Sequence, residues 1–243
     1  MSVDVGRKGC QTVITVLKVT PTTTGESVKN LVNIIDLEDM HFEEQSIQIK
    51  KMFYKYKAQR VVVDGNGLGL GLVDYLVKPQ TEADGTIWPD FGIYNDEEKY
   101  YRKYRTNSCE DDAVYIIKAN APINTEAHTV FKSQLESGKL KFLIDDITAK
   151  NKLKATKMGQ AMTPEQVNEY LKPYVLTTIL KDELLNLREE NEGVNIILKQ
   201  ANKRIPKDKF SSLEYGLYYI KQEEDSRRRK KKKFNAKDWK FYN

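Results

Sequence analysis

The sequence is poor in the side chains that build soft metal cages: it has two cysteines, Cys10 and Cys109, and two histidines, His41 and His128, in 243 residues. None of the four stands at a zinc-ligand spacing, which argues against a structural zinc. Two cysteines also give no disulfide framework and suit a reducing compartment. Long apolar runs are missing as well. Nothing approaches the roughly 20 residues that cross a bilayer, and Met1 leads directly into a strand-like segment with no signal-peptide pattern. A soluble cytosolic protein without a membrane partner is the expectation. Also absent is any GxxxxGK[ST] loop, so nucleotide-driven work is not expected of this chain.

What is present is enough apolar material, 40% of the chain, to fill a sizeable core. The formal charge of +5 is unevenly spread. Residues 226–243 hold nine Lys or Arg against one acid, leaving residues 1–225 mildly acidic. Any affinity for a polyanion is therefore expected to be local, at the C-terminal end. A globular domain over 1–225 and a basic, disordered tail over 226–243 is the expected organisation.

The first forty residues read as three strands, Met1 to Val5, Gln11 to Val19 and Val28 to Leu37, whose short connections imply an antiparallel meander. A helical pattern follows from His41 to Lys57. Arg60 to Val63 is a compact strand ending at Asp64, and its unbroken valines suit burial on both faces. Helix and strand then alternate: a helix over 68–77, a strand over 113–118, a helix over 124–137 and a strand over 140–144. A long charged helix is expected from Thr163 to Glu190, opened by Thr163-Pro164, then a strand over 194–199. A last amphipathic helix over 207–222 has Phe210, Leu213, Leu217 and Ile220 on one side. The segment 79–112 carries no clear pattern. Three antiparallel strands followed by parallel strands flanked by helices is the element order of an α/β, RNase H-like mixed sheet.

In that topology Asp4 lies on the first strand and Asp64 at the end of the fourth, and the two strands are neighbours. Phosphodiester hydrolysis by two cations roughly 3.5 to 4 Å apart needs such a carboxylate pair, and oxygen ligands suit Mg²⁺ or Mn²⁺. A third acid must come from elsewhere, and the last helix offers Asp208 and Glu214. Alone, either strand aspartate is an ordinary turn residue; their coincidence with the element order points to a metal site. The glycine-rich run Asp64 to Gly71 fits neither a dinucleotide fingerprint, since Leu70 occupies its third glycine position, nor a Walker loop. It reads as a tight, close-packed turn.

Three stretches, Ser2-Val3-Asp4-Val5-Gly6-Arg7-Lys8-Gly9, Val61-Val62-Val63-Asp64-Gly65-Asn66-Gly67-Leu68-Gly69 and Lys207-Asp208-Lys209-Phe210 through Leu217, resemble the three acid motifs of phage terminase large-subunit nuclease domains. The resemblance implies an endonuclease that cuts concatemeric double-stranded viral DNA during packaging, dependent on two Mg²⁺ or Mn²⁺ ions. It implies Asp4, Asp64 and Asp208 as catalytic metal ligands, with Glu214 in reserve. It further implies a terminase ATPase domain, small subunit and portal as partners, in the cytoplasm of an infected bacterial host. The chain departs from that pattern where relatives carry two adjacent acids and it has Asp208 followed by Lys209.

Arg227, Arg228, Arg229, Lys230, Lys231, Lys232 and Lys233 form an unbroken cationic run able to neutralise DNA phosphates. Trp239, Phe241 and Tyr242 follow it, able to stack on bases or dock on a protein. Two other readings share the fold, a Holliday-junction-resolvase-like nuclease and a non-catalytic DNA-binding or assembly module. An actin-like ATPase would need a duplicated domain, and no internal repeat is present.

Overall fold

A computed structural model describes residues 1–6, 11–23 and 26–237, with side chains as far as Lys230. Arg7, Lys8, Gly9 and Cys10 lie outside the described residues, as do Trp239, Phe241 and Tyr242.

In chain order the elements are β1 (Ser2–Asp4), β2 (Thr12–Thr20), β3 (Val28–Leu37), α1 (Phe42–Lys55), β4 (Val61–Asp64), α2 (Leu68–Leu76), β5 (Gln80–Thr81), β6 (Ile87–Trp88) and β7 (Phe91–Ile93). They continue with β8 (Glu110–Ile117), α3 (Ala121–Glu136), β9 (Leu140–Lys141), α4 (Asp146–Lys154), α5 (Lys157–Ala161), α6 (Pro164–Leu185), β10 (Leu187–Glu192), β11 (Asn195–Gln200) and α7 (Asp208–Lys237). Seven strands form one sheet in the order β7-β8-β4-β1-β2-β3-β9. The β1–β2 and β2–β3 pairs are antiparallel, and β1–β4, β4–β8, β7–β8 and β3–β9 are parallel. This is the RNase H-like mixed sheet expected from the element order, with β1 at its centre.

The sheet is covered on both faces. Val61 and Val63 join Val3, Ile14, Ile49, Phe53, Leu72 and Leu76 beneath α1 and α2. Val62, pointing the other way, packs with Ile117, Ala127, Tyr218 and Tyr219. Val13, Leu31 and Ile34 meet Phe131, Leu176, Leu180, Phe210, Leu213 and Leu217 from α3, α6 and α7. Each fully buried apolar side chain of this kind contributes about 1.5–3 kcal/mol, so the stripe on α7 holds that helix to the sheet. Its approach is close: Ser212 Oγ donates to the Ser2 carbonyl at 2.8 Å. A Cβ on Gly216 would come within 3.0 Å of Ser2.

One segment without a clear sequence pattern gains its structure, and two sequence expectations are corrected. The segment 79–112 contains β5, β6, β7 and a short 3-10 helix over Tyr101–Tyr104, and β7 extends the sheet as a parallel edge. The long helix stops at Leu185, and residues 187–192 instead pair with β11 as a hairpin through Gly193, whose φ is +62°. The last helix does not end at Gln222 but runs through the basic segment to Lys237. Lys and Arg are good helix formers, and the i,i+4 pairs Lys221–Asp225 and Glu223–Arg227 carry the helix into the run.

Candidate active site

Ser2 and Val62 face α7. Strand alternation sends the residues two further along, Asp4 and Asp64, to that same face. Val3 pairs with Val63 across the parallel β1–β4 ladder, so Asp4 and Asp64 come next, side by side, at the C-terminal edge of the sheet. On α7, Asp208 lies one turn before Ser212, the residue bonded to Ser2. Two steps along β1 and four back along α7 thus bring Asp208 toward Asp4. The three acids are drawn from positions 4, 64 and 208 into one electrostatic neighbourhood.

That neighbourhood raises carboxylate pKa values. Burial pushes Asp4 up to about 7, and the charges of Asp208 and Asp64, then of Glu183, add to it while Lys207 opposes. Asp64 is raised by burial and held back by the Asn66 amide, whose N–H donates to Asp64 Oδ1 at 3.0 Å. Asp208 is raised by burial, against the pull of Lys209 and Lys207. Oxygen-only donors carrying excess negative charge fit a hard divalent cation, which would relieve their mutual repulsion. Among the described residues no group of three or more His, Cys, Asp or Glu side chains is placed so that it could hold a metal ion as it stands.

Glu214, the reserve acid, is placed differently. It is buried and its carboxylate meets His128 Nδ1 on α3. Its neighbour Tyr215 donates to Asn124 Oδ1 at 3.2 Å. Burial, then the charges of Asp64, Glu214 and Asp4, push that phenol up.

The glycine-rich turn holds Asp64 in place. Gly67 has φ +54°, favoured by glycine, and a Cβ on Gly69 would lie 1.6 Å from the Asp64 carbonyl oxygen. Asn66 Nδ2 donates to the Ala119 carbonyl at 2.7 Å, tying this turn to the one that opens α3.

The sequence reading missed Asp36, Glu183 and Lys209 as members of the site. Lys209 is buried, 3.5 Å from Asp36 Oδ2 and 3.7 Å from Glu183 Oε1. Lys209, next to Asp208 in sequence, therefore turns inward as a built-in cation. Glu183 is fully buried at the end of α6 and held near pH 7 by burial. Asp36 could have been found from the meander register, because β3 runs parallel to β1 and ends at the same edge.

The cationic run has only partly described side chains. Arg227 and Arg229 are exposed, and Arg228 pairs with Glu26 at 3.3 Å and Asp225 at 3.9 Å. The side chains of Lys231, Lys232 and Lys233 lie outside the described residues. Among the described residues no helix is long and apolar enough to cross a membrane.

No family model and no curated protein sequence matches the chain. Among solved structures it is similar to the crystal structure of the large terminase nuclease from thermophilic phage G20c with bound magnesium, at 15% identity. That match covers 89% of this chain and 78% of the other, with a TM-score of 0.49.

Proposed function

We propose that this protein is a metal-dependent endonuclease acting on double-stranded DNA, with Asp4, Asp64 and Asp208 as the acids that hold two divalent cations, Mg²⁺ or Mn²⁺. The observation that carries the reading is that Asp4 and Asp64 end adjacent parallel strands and that the charges of Asp64 and Asp208 both act on Asp4, while burial raises all three carboxylates. The acid-motif resemblance supports the same residues independently.

The chain's own groups divide the work. Asp4 and Asp64 present carboxylate oxygens from adjacent rigid strands, and the Asn66 amide keeps Asp64 turned toward the site. Asp208 approaches from the first turn of α7, where the helix dipole favours a negative side chain. Lys207 is exposed and acts electrostatically on Asp4, Asp208 and Glu214, a position suited to meeting a backbone phosphate. When bound, divalent cations in such a site activate the attacking water and stabilise the leaving oxygen.

The substrate in this reading is concatemeric viral DNA, cut during genome packaging in the cytoplasm of an infected bacterium. The partners are a terminase ATPase domain, a small subunit and a portal. The cationic run from Arg227 to Lys233 supplies sequence-independent phosphate contacts. The test is incubation of supercoiled plasmid with purified protein and Mn²⁺, Mg²⁺ or EDTA. Nicking and linearisation with either metal, abolished by EDTA, is the expected result; intact plasmid at all metal concentrations refutes the proposal.

A further inference from the structure

Helix α7 begins without an acceptor of its own. The Ser211 N–H donates to the Lys207 carbonyl at 2.8 Å, which makes Lys207 the N-cap residue. A lysine side chain has only donors, so the free N–H groups of the first turn need an oxygen from elsewhere. Glu183 supplies it from the last turn of α6. Its Oε2 accepts from the Phe210 N–H at 2.9 Å, while its Oε1 faces the Lys209 ammonium at 3.7 Å. The carboxylate is fully buried and 27 residues away in sequence, which no local capping pattern would reveal. The same ammonium reaches Asp36 at 3.5 Å, so β3, α6 and α7 are joined at the point where Asp208 leaves the helix.

We infer that Glu183 is the cap of α7 and, through it, the positioning residue that aims Asp208 at Asp4. Nothing here requires Glu183 to touch a cation or substrate. Its action is mechanical: without the cap the first turn frays, and Asp208, the first residue of that turn, loses its fixed direction. Ser212 and the residues after it stay anchored by Ser2, Thr15 and the buried stripe, so the disturbance is confined to the turn that carries the acid. The part of this inference that concerns cation binding rests on the nuclease reading; the capping part does not.

The experiment uses the full chain with Glu183→Gln and Glu183→Ala. Glutamine keeps an acceptor oxygen but removes the charge, whereas alanine removes both. Amide hydrogen exchange over residues 208–211 and Mn²⁺ titration calorimetry are the readouts. Glu183→Ala is expected to speed exchange in that turn about five- to tenfold, the usual cost of a lost cap. It is expected to weaken Mn²⁺ binding by about tenfold or more, with Glu183→Gln close to wild type in both. Unchanged exchange in Glu183→Ala overturns the cap. Faster exchange with unchanged Mn²⁺ affinity overturns the positioning role. Equal effects of Gln and Ala overturn it too, because charge alone would then be responsible. Absence of Mn²⁺ binding by the wild type instead sinks the nuclease reading, while the exchange data still judge the cap. If Glu183→Ala fails to fold, the same comparison is made with Glu183→Gln and Lys209→Met; the inference then requires exchange near wild type in Glu183→Gln and is overturned by acceleration there.

Discussion

Asp4 and Asp36 share a single register partner: both pair with Val13, one from β1 and the other from β3. Cross-strand partners project to the same face, and Val13 packs under α7. The two aspartates therefore stand in one row beneath that helix, with Asp64 extending the row through β4. Lys209 reaches the Asp36 end of the row, and the charge of Asp208 acts on Asp4 within it. The division predicts unequal roles. Asp4→Asn and Asp64→Asn should each lower metal-dependent plasmid cleavage by more than the roughly 100-fold that outer-shell changes cost, with DNA binding retained in gel-shift assays. Asp36→Asn, which only loosens the Lys209 contact, should retain measurable cleavage. Equal loss in all three, or survival of nicking in Asp64→Asn, would contradict the division.

How much of this was legible in the sequence depends on the range of the interaction. Val61 to Asp64 declares itself, because three valines covered on both faces and ending in an acid leave little choice of strand. The stripe Phe210, Leu213, Leu217 likewise gives α7 its buried side. β7 is only three residues long, and its partner in β8 is a choice made by the fold rather than by local pattern. Leu187 to Glu192 is rich in helix-forming residues, and pairing with the more apolar β11 overrides that preference. Glu183 was hidden for the same reason: its partner is a backbone amide on another helix, and sequence spacing carries no record of it.

The third acid can be settled by a paired substitution. Glu214 is engaged with His128 inside the α3–α7 contact, whereas Asp208 acts on Asp4 directly. Asp208→Asn should abolish cleavage, and Glu214→Gln, which can still hydrogen-bond the imidazole, should leave it within about threefold of wild type. Measured initial rates of plasmid linearisation decide the matter. The reverse pattern would transfer the ligand role to Glu214.

Gly69 offers a purely steric prediction. A methyl group there would meet the Asp64 carbonyl oxygen at 1.6 Å, a distance that forces backbone movement. Gly69→Ala should cost on the order of 1–3 kcal/mol, as overpacking usually does, or roughly 2–12 °C in a chain of this size. It should also impair cleavage, since Asp64 is the residue displaced. Leu70→Ala, whose side chain is exposed, serves as the control and should behave as wild type in both thermal unfolding and cleavage.

Lys50 gives a pH dependence away from the acids. Its ammonium is fully buried, donates to the Lys78 carbonyl at 2.6 Å and is held down to about 8 by burial, with Asp90 and Cys109 opposing. A lysine whose folded pKa lies below its unfolded value of 10.5 makes the unfolded state the stronger proton binder between those values. Stability from this group is therefore present above about 10.5 and lost as pH falls through about 8. The amount is about 2–4 kcal/mol. Urea unfolding across pH 8 to 10.5 should show this rise with pH, and Lys50→Met should flatten it. An identical slope in the variant would show that Lys50 is not its source.

The basic end of α7 can be separated from the part that packs. Glu224 accepts from Ser27 and pairs with Lys29, and Arg228 pairs with Glu26, so cutting before these residues would damage the fold as well as the charge. Ending the chain after Lys230 keeps all three contacts and removes Lys231, Lys232, Lys233, Lys237 and Lys240. Each phosphate neutralised on duplex DNA contributes about 0.9 to the slope of log affinity against log salt. If these five lysines contact the backbone, the truncated protein should lose up to about 4.5 from that slope and bind DNA far more weakly at low salt. Its melting temperature should be unchanged. The cleavage rate at saturating DNA should also persist, because the acids and the cap of α7 lie at the opposite end of the helix. An unchanged salt slope would remove these lysines from the DNA interface and leave phosphate binding to Lys207 and the cations retained at Arg227 to Lys230.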